Sequence, residues 1–446
     1  MKRLAVGLDG YDSNFSGCTT HFTVFLLNIL RKSGREFKLL GGPFLVRLNP
    51  NVPFKTRGNA AVSFSIEGEI DEQFIERSIE EVAEAYEFEK KGTSVIIDLD
   101  KWNRFVDLVR FYHRSVSDLV PRKVAEELLE DVGGISIGRN SLVGALASVG
   151  YALSESEFTY ELLVYRGEAE EDNRTIDEKK AKEILLSFPS LFNNVSRKRG
   201  KVVAIPRGPD PVLIGIRGYN EGELMEALKE LVPFMERPSA WCLFKSNQHT
   251  DPHAIPRKIE DLRVYRMGVI EGVISEKPDI KMGGHVIVYL DDERGMSIPV
   301  IFYSETYPMN VAAAKLRRGD RIAVLGGAVE KRGSDGLIFE AEKLWIKDVS
   351  NIILERNPRC PVCGARMESA GREKGYRCPK CGYRARGVLA KEKIVVKRDL
   401  QIGSVSPLEG RIRHLVKPSE LEHIALPRIT MGKEGKEIHC SYQAFR

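Results

Sequence analysis

The chain has 446 residues, 68 Lys+Arg against 63 Asp+Glu for a formal net charge of +5, 42% hydrophobic and 29% charged residues. That composition can bury a large core and excludes a disordered chain, while no apolar run approaches the roughly 18 residues of a membrane span. The opening Met-Lys-Arg-Leu-Ala-Val-Gly-Leu-Asp-Gly breaks any signal-peptide stretch with an acid and a glycine, so a cytoplasmic chain of about three domains, without a membrane partner, is expected.

Leu4–Leu8 reads as a strand running into the polar turn Asp9-Gly-Tyr-Asp-Ser13, and Thr20–Arg31 as a buried helix. A second extended stretch, Phe44–Leu48, precedes a Pro/Asn-rich loop. Ile75, Ile79, Val82, Ala83 and Tyr86 recur at helical spacing among glutamates, and Ser94–Asp98 is a further strand. Such alternation makes the first half α/β or α+β. A second unit near residues 157–255 has predicted strands at Tyr160–Tyr165, Val202–Ile205 and Val212–Ile216 and a helix at Glu221–Leu231. Five strands follow at Val264–Ile274, His285–Leu290, Ser297–Phe302, Arg321–Leu325 and Leu337–Ile346. The amphipathic run Val311–Leu316 sits between the third and fourth, the layout of an OB-fold barrel.

The last quarter is chemically distinct. Residues 351–446 carry a net charge of +10, leaving −5 on the rest, which points to a polyanion as partner. Cys360-Pro-Val-Cys363 and Cys378-Pro-Lys-Cys381 are paired C-x-x-C knuckles, with Gly364 and Gly382 free to make the tight turns. Four thiolates at that spacing fill the tetrahedral sphere of a structural zinc ion. Arginines and lysines crowd round the knuckles, and Tyr376 and Tyr383 are expected to be exposed for stacking on bases. Cys18, Cys242 and Cys440 are scattered; with metal-type usage elsewhere they are expected to be ordinary thiols of a reducing compartment.

Three segments carry polar chemistry beyond the zinc site. Asp9 and Asp12 lie three apart on a turn at a strand end, a spacing that can hold magnesium, although on spacing alone ordinary turn and cap residues are the commoner reading. Ser13, Thr19 and Thr20 put hydroxyls near the start of a helix, where phosphate is attracted. Arg47-Leu-Asn-Pro-Asn51 runs into Lys55-Thr-Arg57-Gly-Asn59, a loop whose cations suit phosphate. His249 and His253 are separated by a proline and lack a third ligand, so they read as plain polar residues. There is no Walker loop, no G-x-S-x-G elbow and no protein-kinase signature, which disfavours the familiar ATPases and hydrolases.

Taken together, Gly7-Leu-Asp-Gly-Tyr-Asp-Ser13 with Cys18-Thr-Thr20, Arg47–Gly58, Thr159-Tyr-Glu-Leu162, Gly208-Pro-Asp-Pro-Val-Leu213 with Gly215-Ile-Arg-Gly218, and Asn247-Gln248 with Thr250-Asp251 resemble the archaeal isoleucine tRNA 2-agmatinylcytidine synthetase family. The resemblance implies an α+β multidomain fold. It would comprise a kinase-like α/β N-terminal domain over 1–155, a ferredoxin-like domain over 156–258, an OB-fold β-barrel over 259–350, a zinc ribbon over 351–386 and a basic RNA-binding tail over 387–446. It implies a ligase that uses ATP and agmatine to convert the wobble cytidine in the anticodon loop of the CAU isoleucine tRNA to 2-agmatinylcytidine, releasing AMP and phosphates. The C2 oxygen would be phosphorylated and then displaced by the primary amine.

The family's phosphorylated threonine falls on Thr19 and its magnesium-binding acids on Asp9 and Asp12. Ser13, Thr20, Lys55 and Arg57 are expected on the ATP phosphates, and Asp210 on the agmatine guanidinium. The chain departs from the family's usual Asp-Asp-Thr-Asp-Ser turn at Gly10 and Tyr11, and Phe54 replaces a tryptophan. A non-catalytic paralogue that binds tRNA or single-stranded nucleic acid is therefore the alternative, and a DNA repair or replication accessory would account for the second half alone.

Overall fold

A computed structural model describes residues 1–12, 17–53, 55, 59–85, 92–101, 105–138, 140–167, 174–208, 210–330, 336–371, 374–385, 390–430 and 440–442. Its first half is built on one long sheet. Strands β1 (Lys2–Asp9), β2 (Phe37–Arg47), β3 (Ala60–Gly68), β4 (Thr93–Asp98) and β5 (Ile135–Ile137) are joined by α1 (Thr19–Lys32), α2 (Glu72–Ala85), α3 (Phe105–Ser117) and α4 (Arg122–Asp131). Helix α5 (Leu142–Ala152), β6 (Thr159–Tyr165) and α6 (Glu178–Ser187) follow. Then come the hairpin β7 (Val195–Ser196) and β8 (Lys201–Val202), β9 (Val212–Gly218), α7 (Glu221–Leu231) and β10 (Ala240–Ser246). The sheet order is β5-β4-β1-β3-β2-β10-β6-β9. Every neighbour is antiparallel except β2 and β10, which meet in parallel at Lys245↔Phe44 and Ser246↔Leu45 and join the two predicted units into a single sheet.

The period-two alternation of strands sorts the core. Leu4, Val6 and Leu8 of β1 face α1 and α2, while Ala5, with Val95 and Ile97 of β4, faces α3 and α5. On β6, Leu162 and Val164 face α6 and α7, whereas Leu163 and Tyr165 join the layer under α1. Gly7 is needed where α5 crosses β1, since a Cβ there would lie 2.1 Å from the carbonyl oxygen of Ala145. The sequence expectation for Val202–Ile205 is too long: only Lys201–Val202 pairs as a strand. Phe44–Leu48 is conversely the end of an eleven-residue strand that accommodates Gly41-Gly42-Pro43 as a register shift. Tyr86 lies outside the described residues.

The second half opens with a closed barrel of β11 (Met267–Ile274), β13 (Val286–Asp291), β14 (Ser297–Phe302), β15 (Arg321–Glu330) and β16 (Leu337–Asp348), with the short β12 (Asp279–Ile280) at its edge. Closure runs through Val273↔Asp291 and Ile274↔Leu290. Alternate residues Val286, Val288 and Leu290, with Ile298, Val300 and Phe302, fill the interior, and α8 (Met309–Ala314) stops one end with Met309 and Ala313, joined by Leu316 just beyond it. Strands β17 (Ile352–Arg356) and β21 (Glu392–Val396) pair as a stalk. It carries a small ribbon of β18 (Glu368–Ser369), β19 (Tyr376–Arg377) and β20 (Arg384–Ala385).

The C-terminal segment is stitched into the body. Strand β22 (Gly403–Val405) pairs with β16, and β23 (Cys440–Tyr442) lies along β10 in the large sheet. Between them, Leu415 and Val416 are buried, and the carbonyls of His414 and Leu415 accept the N–H groups of His249 and Asp251. Cys242 and Cys440 form a disulfide that closes 198 residues. The expectation of ordinary thiols is thus corrected: two cysteines 198 positions apart give no local spacing, and only the pairing of β23 with β10 brings them together. No helix among the described residues is long and apolar enough to cross a membrane.

Candidate active site at the end of the first strand

Interior strand β1 ends at Asp9, and the chain turns at Gly10 with φ +77° before α1 begins at Thr19. The helix has Cys18 as its N-cap, whose side chain does not cap it. Asp12 supplies the missing acceptor: its Oδ1 takes the Thr19 N–H at 3.2 Å and faces the Thr19 hydroxyl at 3.5 Å. The same hydroxyl oxygen accepts the Tyr11 N–H at 3.2 Å. A carboxylate at a helix N-terminus is favoured by the macrodipole, and here it also orients a buried hydroxyl. Thr20 is buried beside it, its hydroxyl 3.1 Å from the Cys18 sulfur.

Asp9 is buried, and its Oδ1 has no hydrogen-bond partner among the described residues. Burial first, and the neighbouring Asp12 second, hold its carboxyl well above the usual carboxylate range. It lines a cavity of about 520 Å³ together with Asn49, Lys55, Asn59, Arg122 and Ser141. One wall is the first turn of α5, whose N–H groups have no intrahelical partner and form the positive end of the helix. Gly144 lets that turn approach closely, because a Cβ would lie 1.9 Å from Asp9 Oδ2. Burial and the adjacent Arg413 hold the Lys55 ammonium below its ordinary range, and its Nζ donates to the carbonyl of Pro50.

Asp210 approaches the same region from the loop before β9. Its Oδ1 accepts the Val212 N–H at 2.9 Å, and Arg174 Nη2 fixes the loop by donating to the carbonyls of Gly208 and Asp210 at 2.9 and 2.8 Å. The Asp210 charge faces the first turn of α1: after burial, it is the main reason the Cys18 thiol is pushed up to about 12. Asp9, Asp12, Thr19, Thr20, Lys55 and Asp210 thus gather round two helix starts. Ser13, Phe54 and Arg57 lie outside the described residues.

Other polar segments singled out in the sequence form a buried junction next to this site. Glu161 accepts from Arg47 at 3.2 Å and pairs with Arg217 at 3.5 Å. Arg47 also donates to Gln248, and its backbone exchanges hydrogen bonds with Asn247. His249 contacts Asn193 and Gln248 through Nε2 and the Val416 carbonyl through Nδ1, and His253 pairs with Glu342 at 3.0 Å. Both histidines are buried polar residues of the core and not a metal pair; His249 uses both ring nitrogens, whereas Nδ1 of His253 has no partner among the described residues.

The Gly10–Tyr11 departure has a structural consequence. Tyr11 is buried, stacked on Phe22 with ring centroids 3.9 Å apart, and its hydroxyl is 2.6 Å from that of Ser94. It is a core residue and does not project into the cavity. A Cβ on Gly10 would lie 2.4 Å from Ser141 Oγ. Gly10→Asp, which restores the usual acid, is therefore expected to destabilise the fold by about 1–2 kcal/mol through its left-handed backbone and this contact. Thermal denaturation checks this; a Gly10→Asp chain also carrying Ser141→Gly should recover part of the loss, and unchanged stability would contradict the reading.

The ribbon brings the four predicted cysteines together. Cys360 and Cys381 have sulfurs 3.6 Å apart, Cys363 and Cys378 3.5 Å, and all four lie within 4.8 Å of one another. Zinc–sulfur bonds of about 2.3 Å in a tetrahedron require sulfurs about 3.8 Å apart, so the set fits zinc and leaves no open position for a substrate. Gly364 and Gly382, at φ +70° and +75°, make the two knuckle turns. Tyr383 is exposed as expected, but Tyr376 is half-buried and packs against the cysteine cluster, because β19 turns it inward.

Sequence reasoning missed the wall of the cavity. Gly138, Asn140-Ser141 and Gly144 before an apolar run are a signal for a helix start open to a ligand. The helix itself shows no polar face, since it is buried all round.

Domain-family models match in succession: the TiaS TCKD domain over residues 5–138, the TiaS FLD domain over 139–253 and the TiaS C-terminal zinc ribbon domain over 357–400. The isoleucine-tRNA 2-agmatinylcytidine synthetase TiaS of Ignisphaera aggregans is 34% identical over 437 residues, covering 93% of this chain and 92% of that protein. The chain belongs to the isoleucine-tRNA 2-agmatinylcytidine synthetase family. The TiaS of Thermofilum pendens is 36% identical, with 94% of this chain and 95% of that protein covered. Among solved structures, apo TiaS matches with a TM-score of 0.79 at 31% identity, covering 95% of this chain and 98% of its own. TiaS in complex with its isoleucine tRNA and ATP matches with a TM-score of 0.77, also at 31%, covering 98% of this chain and 100% of its own. The TiaS likeness therefore includes the large sheet, the five-stranded barrel and the ribbon.

Proposed function

We propose that this chain is an ATP-dependent ligase that converts the wobble cytidine of the CAU-anticodon isoleucine tRNA to 2-agmatinylcytidine, consuming ATP and agmatine. Relatives along the whole chain carry that activity in their names, and one solved relative is described as a complex with the isoleucine tRNA, AMPCPP and agmatine. The observation within the fold that carries the reading is the cavity where the unpartnered Asp9 oxygen and Lys55 face the open start of α5. A triphosphate needs both: a positive helix end with a cation for its charge, and a hard acid site for its metal.

In this reading the domains keep the expected division, with an ATP-binding kinase-like unit over 1–155 and a ferredoxin-like agmatine-binding unit over 156–258. An OB-fold follows over 259–350, the zinc ribbon over 351–386 and an RNA-binding segment over 387–446. Packing of α5 on β1 supports keeping that helix with the first unit. Asp9 and Asp12 would hold magnesium, a fit supported by the orphaned Asp9 oxygen; bound there, the ion neutralises phosphate charge. Lys55, Thr20 and the start of α5 bind the phosphates, joined by Ser13 and Arg57. The ribbon zinc is structural.

Thr19 presents its hydroxyl as phosphoryl acceptor, and Asp12, already facing that oxygen, orients it and can take its proton. Asp210 grips the guanidinium of agmatine by a charge-assisted pair and so directs the distal primary amine toward the cytosine. An unmodified C2 oxygen is a very poor leaving group. With a phosphoryl group from ATP on that oxygen, the C2–O bond breaks and inorganic phosphate departs, while the amine nitrogen bonds to C2 and gives up a proton; hydrolysis of the remaining phosphoanhydride releases a second phosphate and leaves AMP. Release of AMP from ATP should depend on both agmatine and the tRNA transcript; AMP release indifferent to both would defeat the proposal. The non-catalytic alternative rested on the broken acidic turn, and Tyr11 lies in the core, where it obstructs nothing.

A further inference from the structure

The loop that carries Lys55 is held in place by residues from the second half of the chain. Its base is closed internally. The Leu48 N–H donates to the Asn59 carbonyl at 3.0 Å, Asn59 Nδ2 to the Asn49 carbonyl at 2.8 Å, and the Asn51 N–H to Asn49 Oδ1 at 2.9 Å. Lys55 Nζ donates to the Pro50 carbonyl, which anchors the ammonium one residue from Asn51. Outward from this knot, Asn49 Nδ2 reaches the Tyr265 carbonyl at 2.8 Å. Asn51 lies against β15, where a Cβ on Gly327 would come 1.7 Å from its Nδ2.

Arg413, in the C-terminal segment, makes the remaining tie. Its Nη1 donates to Asn51 Oδ1 and to Glu342 Oε1, both at 2.7 Å. Glu342, on β16 of the barrel, is buried, and its other oxygen meets His253 Nε2 at 3.0 Å, so the guanidinium rests on a fixed acceptor. A cation that bridges a buried carboxylate and a loop amide makes charge-assisted bonds and fixes the loop. The cavity lining includes Lys55 but not Arg413, and Glu342 together with Glu340 at 3.7 Å balances the arginine's charge. Another part of the lining is braced in the same way: Asp118 pairs with Arg257 at 2.9 Å and with Arg266, both in the segment before β11. A lysine on a free loop loses backbone and rotamer freedom when it takes a phosphate, whereas a loop already held loses less and binds more tightly.

We propose that Arg413 is a positioning residue for ATP: by bridging Glu342 of the barrel to Asn51, it fixes the loop that presents Lys55 to the triphosphate. The inference rests on the ATP-dependent reading above. Arg413 acts through Asn51 and touches neither the nucleotide nor the RNA.

The test is ATP binding to the full chain by calorimetry, with magnesium and without RNA, for Arg413→Gln, Asn51→Ala and the double variant. Each single change should weaken ATP binding about tenfold. The double variant should be within about twofold of the weaker single one, because both changes cut the same link. Arg413→Lys keeps a cation beside the buried Glu342 and should recover most of the affinity. The KM for agmatine and the affinity for the tRNA transcript should stay within about twofold in every variant, whereas general loosening of the fold would weaken all three ligands together. Asn51→Ala leaves Glu342 its arginine, so it carries the test alone if Arg413→Gln does not fold. Unchanged ATP affinity in Asn51→Ala, or losses that multiply in the double variant, overturns the proposal. So does weaker transcript binding by Arg413→Gln with ATP binding intact, which would make Arg413 an RNA contact. An unaltered chain that binds no ATP defeats the ligase reading itself.

Discussion

Thr19→Ala should abolish formation of 2-agmatinylcytidine while tRNA affinity stays within about twofold of the unaltered chain, the pattern of a lost chemical step rather than lost binding. Thr19 is buried at the first position of α1, and its hydroxyl has two fixed neighbours, the Tyr11 N–H and Asp12 Oδ1. Alanine keeps the helix start and leaves the Tyr11 N–H without its acceptor, a cost of about 1–3 kcal/mol that a fold of this size tolerates. Thr19→Ser retains the reacting oxygen and should retain activity. Single-turnover product formation with filter binding of the transcript separates the two effects. Full activity in Thr19→Ala would remove Thr19 from the chemistry.

Removal of zinc should have an effect of comparable size on a different quantity. The buried core of the ribbon consists of Cys360, Met367, Cys378 and Ala385, far too little apolar surface to hold its three two-residue strands together. Chelation, or Cys378→Ser, should therefore unfold the ribbon locally and scatter the basic side chains that it and the stalk hold in place. tRNA affinity is expected to fall about tenfold or more as several phosphate contacts are lost together. ATP affinity should persist, since Asp9 and Lys55 belong to a separate core. Metal content by mass spectrometry, taken with tRNA and ATP binding on the same preparation, checks all three. A metal-free chain that binds tRNA as tightly as the zinc form would contradict the account.

What could be read in the sequence follows from how local each signal is. The cysteine knuckles are complete within 22 residues, so ligand identity, turns and fold were legible together. The barrel was legible because its strands alternate and are separated by clear turns. In contrast, α5 is buried on every side and shows no helical stripe, and Gly41-Gly42-Pro43 reads as a break although β2 passes straight through it as a bulge. The absence of a stripe hid the helix that walls the cavity.

Long-range pairings were the other loss. Cys242 with Cys440, Glu161 with Arg47 and Arg217, and Glu342 with His253 and Arg413 each join residues whose partnership depends on the finished topology. The proximity of Asp9, Asp12 and Thr19 is local, because they sit in one strand–turn–helix unit. The family resemblance had already drawn Asp210 to them. What the sequence could not supply was the role of Tyr11, which the packing against Phe22 and Ser94 settles as a core residue.

The measurement that tests the central claim most directly is mass analysis of nucleosides from a CAU-anticodon isoleucine tRNA transcript incubated with the protein, ATP, magnesium and agmatine. The expected product is a cytidine heavier by the agmatine adduct, absent when either ATP or agmatine is withheld. A transcript that is bound but returned unmodified, under conditions in which another member of the family modifies it, would contradict the account and leave a tRNA-binding protein on the same scaffold.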